Sequence, residues 1–492
     1  MAKRICKLPR IYHYPITLQE DGRISVDDNT LKFHLNAALG VEEKLPYLLD
    51  TIREIIVYLT EHPDERFANA IDIKQTDALE IILQCIAPEQ RLTFLKTAGD
   101  QTDQWTLLHW ATKLCNASAK IILQSVEKEE DRFQLLSKCD CRKITPLHLA
   151  CTRKEEEPIG ILLSGLSKEK RTQLRIKCDS NGFTPLHWVC ANGNQKAFES
   201  LLSELSPIES SMVLLTCDNL FKRTPIHIAA KYGQSKLIPM AINMLTPAQW
   251  CNVVCSGDKH MRTPLHLAAL RGNSTFVEKL LEPLGEDLSN VLFKSDEDGC
   301  TALHLAFFEG HSNVAQMIHK CTTDQIWNQS LELPGKNACT PIHLAAEKGF
   351  TNILAIIKTL IPSDQRFELL KKRDGDDFTP IHSAAYTRRL DVLNTLRAFV
   401  YPDQWNVLLS EASPAKFDQE EEAIQLLKDS RIEVASVQVS SPEDLSDSGE
   451  VIMKVPFVSQ HRPNNASNPH SALARLTKIQ SKSCLPTSKN CA

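Results

Sequence analysis

Residues 145–150 read TPLHLA, and the stretch returns as TPLH at 184–187, TPIH at 224–227 and TPLHLAA at 263–269. Its opening threonine falls at Thr106, Thr145, Thr184, Thr224, Thr263, Thr301, Thr340 and Thr379, in steps of 39, 39, 40, 39, 38, 39 and 39 residues. A period in this range marks an array of small supersecondary units, each of which buries its apolar face against its neighbours. The length agrees, since 492 residues are too many for one compact core.

Working outward from the threonine, an aspartate stands five residues earlier at Asp140, Asp179, Asp258, Asp296 and Asp374, with Asp218 displaced by one insertion. Turn formers fill the gap, as in DSNGF at 179–183 and DEDGC at 296–300, so a tight tip leads into a helix. Threonine suits the N-cap, proline the first helical position, and the glycines at 193, 233, 272, 310 and 349 suit the C-terminal end. A second apolar helix follows, such as FVEKLL at 276–281. These residues resemble the ankyrin repeat, and the resemblance covers about residues 100–410. It implies an all-α solenoid of short hairpin tips and stacked helix pairs that binds other proteins along its concave face.

The period departs from the ankyrin unit of about 33 residues. The extra residues follow the second helix and read TPAQWC at 246–251, PSDQRF at 362–367 and YPDQWN at 401–406, each leading to an apolar pair such as Leu369 and Leu370. Such openings are helix starts, so each repeat is expected to carry a short third helix. The repeats are then expected at 101–139, 140–178, 179–218, 219–257, 258–295, 296–334, 335–373 and 374–411. Residues 41–100 read as a helical cap of degenerate repeats, 412–435 as a C-terminal capping helix, and 1–40 as an extension with a small hairpin where ITLQ at 16–19 and RISV at 23–26 flank EDG.

Residues 411–450 hold eleven acidic and three basic side chains, net −8, while 451–492 hold six basic and none acidic, net +6. Charge blocks of this kind, rich in Ser, Pro and Asn, describe a solvated tail over 436–492. Ser441, Ser446 and Ser448 stand among acids and are candidate phosphorylation sites. Two further readings follow from that tail and from the family: a regulatory inhibitor released by tail modification, or an effector that an intracellular bacterium delivers into a host cell.

Net charge is −5, which is not the balance of a general nucleic-acid binder, and no apolar run is long enough to cross a bilayer. The basic first ten residues lack a following apolar segment, so no secretory signal is expected and the cytosol, or the nucleus, is the expected compartment. The sixteen cysteines form no CxxC pair. Several repeat with the array, among them Cys139, Cys178 and Cys217, which read as small buried side chains in a reducing compartment.

The recurrent histidines are His109, His148, His187, His227, His266, His304, His343 and His382. One per repeat, at a helix-packing separation of about 8–10 Å, they are too far apart to converge on one ion. The resemblance implies instead that each ties adjacent hairpins by hydrogen bonds. No catalytic motif stands outside the repeat, so neither an enzyme, a cofactor nor a metal is expected.

The resemblance places variable contact positions just before the threonine and seven or eight residues after it. Here those positions give Trp105 and Phe183, then a basic stripe of Lys222, Arg223, Lys231, Tyr232, Lys259, His260, Arg262 and Arg271, then Phe378 and Tyr386. Arginine and aromatic side chains are common interface anchors. The function expected is a non-enzymatic scaffold or adaptor whose partner offers an acidic, extended segment.

Overall fold

A computed structural model of the chain describes residues 104–411 except 154 and 156, the strand residues 16–18 and 24–26, and the isolated positions 83, 91, 92, 95, 96 and 425. The cap at 41–100 and the extension at 1–40 lie mostly outside these residues. The capping helix at 412–435, apart from Gln425, and the tail with Ser441, Ser446 and Ser448 lie outside them too. Within the extension, Ile16–Leu18 and Ile24–Val26 pair antiparallel with Thr17 opposite Ser25, as the alternation around EDG implies.

The remaining named elements are helices joined by turns. Among the described residues twenty-four α-helices fall into eight sets of three, so the extra segment of each period is a helix. The first helix of a set is the motif helix, for example Pro185–Asn192 or Pro225–Tyr232. Thr184 and Thr224 sit at the N-cap in extended conformation, the following proline occupies the first turn, and the histidine closes a capping box in the place where Glu or Gln is usual. Gly193 and Gly233 end these helices in the left-handed region at φ 71° and 69°, which a β-carbon disfavours.

The second helix is amphipathic. In Gln195–Leu202 and Ser274–Leu281 the buried residues Phe198, Leu201 and Leu202, then Phe276, Val277, Leu280 and Leu281, recur at helical spacing. The third helix opens on its own cap, Ser206 with Glu209 or Thr246 with Gln249, and buries an apolar pair near its end: Val213 and Leu214, or Val253 and Val254. Arg175 stands where such a pair would continue after Leu174; it is 2% exposed and donates to the carbonyl of Ser203 at 3.2 Å.

The described residues fall into two compact units, the first reaching residue 297 and taking in 301–306 and 313–327, the second comprising 298–300, 307–312 and the residues from 328 on. In the first unit like packs on like: Pro185–Asn192 on Pro225–Tyr232 and that on Pro264–Leu270, Asn116–Gln124 on Glu157–Leu163, and Pro207–Leu214 on Pro247–Cys255. The second unit repeats the scheme, with Pro341–Lys348 on Pro380–Tyr386, Thr351–Leu360 on Leu390–Arg397 and Ser363–Lys371 on Pro402–Glu411. This stacking of like helices is an α-solenoid.

Candidate partner-binding surface

The motif histidine is held at both ring nitrogens. In His148 the backbone N–H of Thr145 donates to Nδ1 at 3.2 Å, the Thr145 hydroxyl lies 2.8 Å from the same atom, and Nε2 lies 3.0 Å from the carbonyl of Phe183 in the next repeat. A carbonyl only accepts, so Nε2 carries the proton and Nδ1 is the acceptor. His109, His187 and His227 repeat the arrangement onto Ile144, Arg223 and Arg262, and in the second unit His343 repeats it onto Phe378. His266, His304 and His382 receive the same threonine N–H at Nδ1. Burial pushes His109, His148, His187, His227, His343 and His382 down to about 4. These imidazoles are neutral at physiological pH, and the five with both nitrogens engaged have no lone pair left for a metal.

The tip aspartate works at both oxygens too. Asp140 Oδ1 accepts from the backbone N–H groups of Arg142 and Ile144 at 2.8 and 2.7 Å, which closes the tip, while Oδ2 accepts from Trp105 Nε1 at 3.0 Å across the repeat boundary. Arginine does the same further along, with Arg223 Nε 3.2 Å from Asp258 Oδ2 and Arg262 Nε 3.2 Å from Asp296 Oδ2. In the second unit the Cys339 thiol lies 3.7 Å from Asp374 Oδ2. In these four repeats the residue before the threonine reaches forward onto the next tip.

This geometry changes the reading of several contact positions. Trp105 is 5% exposed, Phe183 is buried, and Arg262 is 5% exposed with its charge turned onto Asp296; Arg223 is likewise spent on Asp258. His260 Nδ1 lies 2.5 Å from Glu297 Oε1. Phe378 packs on His382 and Tyr386, with centroids 5.4 and 6.1 Å away, and Tyr386 keeps an exposed face. The cations left outward are Lys222, Lys259 and Arg271, beside the half-buried Lys231 and the exposed Tyr232. Burial, followed by the charges of Arg223 and Arg271, holds Lys231 down at about 8, so these basic groups crowd one another. Two apolar tip residues that the motif gave no reason to single out, Leu220 and Met261, are 58% and 61% exposed beside Lys222 and Lys259.

The cysteine expectation holds only in part. Cys151, Cys190 and Cys300 are buried, but Cys178 and Cys217 are exposed and Cys139 is half-buried. The last three occupy the turn after the third helix, where each thiol donates to the carbonyl two residues back, Ser137, Ile176 or Leu215. Sequence reasoning also missed an amide bridge: Asn273 Nδ2 donates to the carbonyl of Ala230 at 2.8 Å, and Gln234 Nε2 to that of Ala191 at 3.3 Å. The signal was present as an Asn or Gln directly after the closing glycine.

Tips, paired helices and repeat-to-repeat imidazole bonds define a stacked helical-repeat protein. The family model described as ankyrin repeats matches in three copies, at residues 128–211, 208–290 and 252–329, so this part of the chain is an array of ankyrin repeats. No curated protein matches it. Ankyrin repeats serve protein–protein contact, and no helix among the described residues is long and apolar enough to cross a membrane.

Proposed function

We propose that the chain is a non-enzymatic scaffold or adaptor that binds an acidic, extended segment of a partner protein across the tips of residues 218–271. The observation that carries this is the outward cluster of Lys222, Lys259 and Arg271, with Lys231 and Tyr232, interleaved with the exposed Leu220 and Met261. Cations and apolar groups at alternating points suit a strand-like segment that offers carboxylates and apolar side chains in turn. The neighbouring Arg223 and Arg262 fix the tips under this surface and are not contacts. The free cysteines among the described residues suit a reducing compartment, the cytosol or the nucleus.

The test is capture of partners from native cells by the full chain against a Lys222→Glu, Lys259→Glu, Arg271→Glu triple variant, with thermal melting of both. Loss of the captured partners at an unchanged melting temperature supports the surface. Undiminished capture assigns binding elsewhere. Binding through these cations should also weaken as salt rises from 0.05 to about 0.3 M, because the Debye length shortens to well under 10 Å.

A further inference from the structure

A cavity of about 460 Å³ opens in the first unit between the second helices Asn116–Gln124 and Glu157–Leu163, away from the hairpin tips. Lys120 and Gln124 stand on one wall, Gly160 and Ser164 on the other, and Arg132 enters from the third helix Glu129–Leu136. Leu123 and Ile161 give it an apolar floor.

Two glycines make this space. Gly160 lies inside a helix, where glycine is a poor choice, yet a β-carbon there would meet nothing within 4 Å. Packing gives no reason for the glycine; its missing side chain is what keeps the cavity open. Gly165, at φ 70°, lies against Arg132, and a β-carbon there would collide with Nη1. The guanidinium is anchored by Nε, which donates to the carbonyl of Val126 at 2.6 Å, so the Nη groups remain at the cavity wall. Among the described residues no carboxylate is bonded to Arg132. The acid on the rim, Glu157, accepts from Asn116 Nδ2 at 2.9 Å. Ser164 donates its hydroxyl to the carbonyl of Ile161 at 2.7 Å.

We propose that this cavity receives a phosphotyrosine side chain of a partner peptide. The Arg132 fork and the Lys120 ammonium match a phosphate monoester of about −1.5 to −2 charge, and the Gln124 amide supplies a further donor. Glu157 adds one negative charge at the rim, so the lining is net +1; the three oxygens of a phosphate monoester can meet Arg132, Lys120 and Gln124 together, where a carboxylate offers only two. Free phosphate would fill little of the volume and leave the apolar floor bare, whereas an aromatic ring covers Leu123 and Ile161. The site uses no tip residue and is independent of the surface proposed above.

The experiment measures fluorescence anisotropy of labelled peptide pools with a fixed central phosphotyrosine, or its unmodified twin, on the full chain. The phosphorylated pool is expected to bind at least tenfold tighter, and phenyl phosphate to displace it at lower concentration than inorganic phosphate. Arg132→Gln should cost at least tenfold in affinity. Gly160→Leu fills the void with a better helix former, so it should abolish binding at an unchanged or raised melting temperature, while Lys222→Glu should leave binding intact. Equal binding of the two pools, full binding by Gly160→Leu, or equal competition by inorganic phosphate, an adventitious oxyanion only, would overturn the assignment.

Discussion

At the scale of the residue, the motif histidine and the tip aspartate share a logic, since each uses one polar atom inside its repeat and the other across a boundary, the histidine onto the next repeat and the aspartate onto the one before. Replacing His187 by alanine removes the cap on Thr184 and the bond to the carbonyl of Arg223, and leaves a hole in a buried site. The expected loss is about 2–4 kcal/mol in denaturant unfolding; a loss under about 1 kcal/mol would show that the ring does not join the repeats. Arg223→Met tests the second latch. It strands Asp258 Oδ2, whose side chain is fully buried, and should cost about 2–3 kcal/mol. Lys259→Met, on an outward cation, should stay within about 0.5 kcal/mol. Equal effects for the two would remove the distinction between latch and surface.

At the scale of the element, helix ends set the boundaries of each repeat. Gly193→Ala must hold a β-carbon at φ 71° against the Gln234 side chain, and should destabilise by about 1–2 kcal/mol in chemical denaturation. Ser206→Ala removes the cap on the third helix of the same set, where Ser206 Oγ accepts from the N–H of Glu209, and should cost about 1 kcal/mol. These ends explain what the sequence made legible. A cap residue, a first-turn proline and a closing glycine act within a few residues of chain, so the first helices, the third helices and the paired strands 16–18 and 24–26 could all be placed from local pattern. The candidate surface was less legible because it depends on partners about 35 residues away. Nothing local distinguishes Arg223, facing Asp258, from Lys222, facing outward; only the stacking does. Cys178 and Cys217 mislead for the same reason, since their period places them at one point of each repeat without saying which side of the turn that point faces.

At the scale of the whole molecule, the same bond repeated along the array makes stability a property of many equivalent sites. A regular stack draws its stability from neighbour interfaces, and in this chain several of those interfaces carry a neutral imidazole. His109, His148, His187 and His227 in the first unit, with His343 and His382 in the second, are lowered by burial from 6.5 to about 4. The folded state therefore binds protons less readily than the unfolded one, so their stabilisation is complete above about pH 6.5 and is lost as pH falls towards 4. Treated independently, each imidazole forfeits roughly 2 kcal/mol by pH 5. Protonation also places a hydrogen on Nδ1 facing the threonine N–H, which removes the acceptor the cap requires. The melting temperature should be flat from pH 8 to 7 and fall steeply between pH 6 and 4.5. A His187→Gln chain, with one fewer such group, should start lower and fall less steeply. A melting temperature level down to pH 4.5 would show that the imidazoles are not held neutral by the stack, and that the bonds to the following carbonyls do not join one repeat to the next.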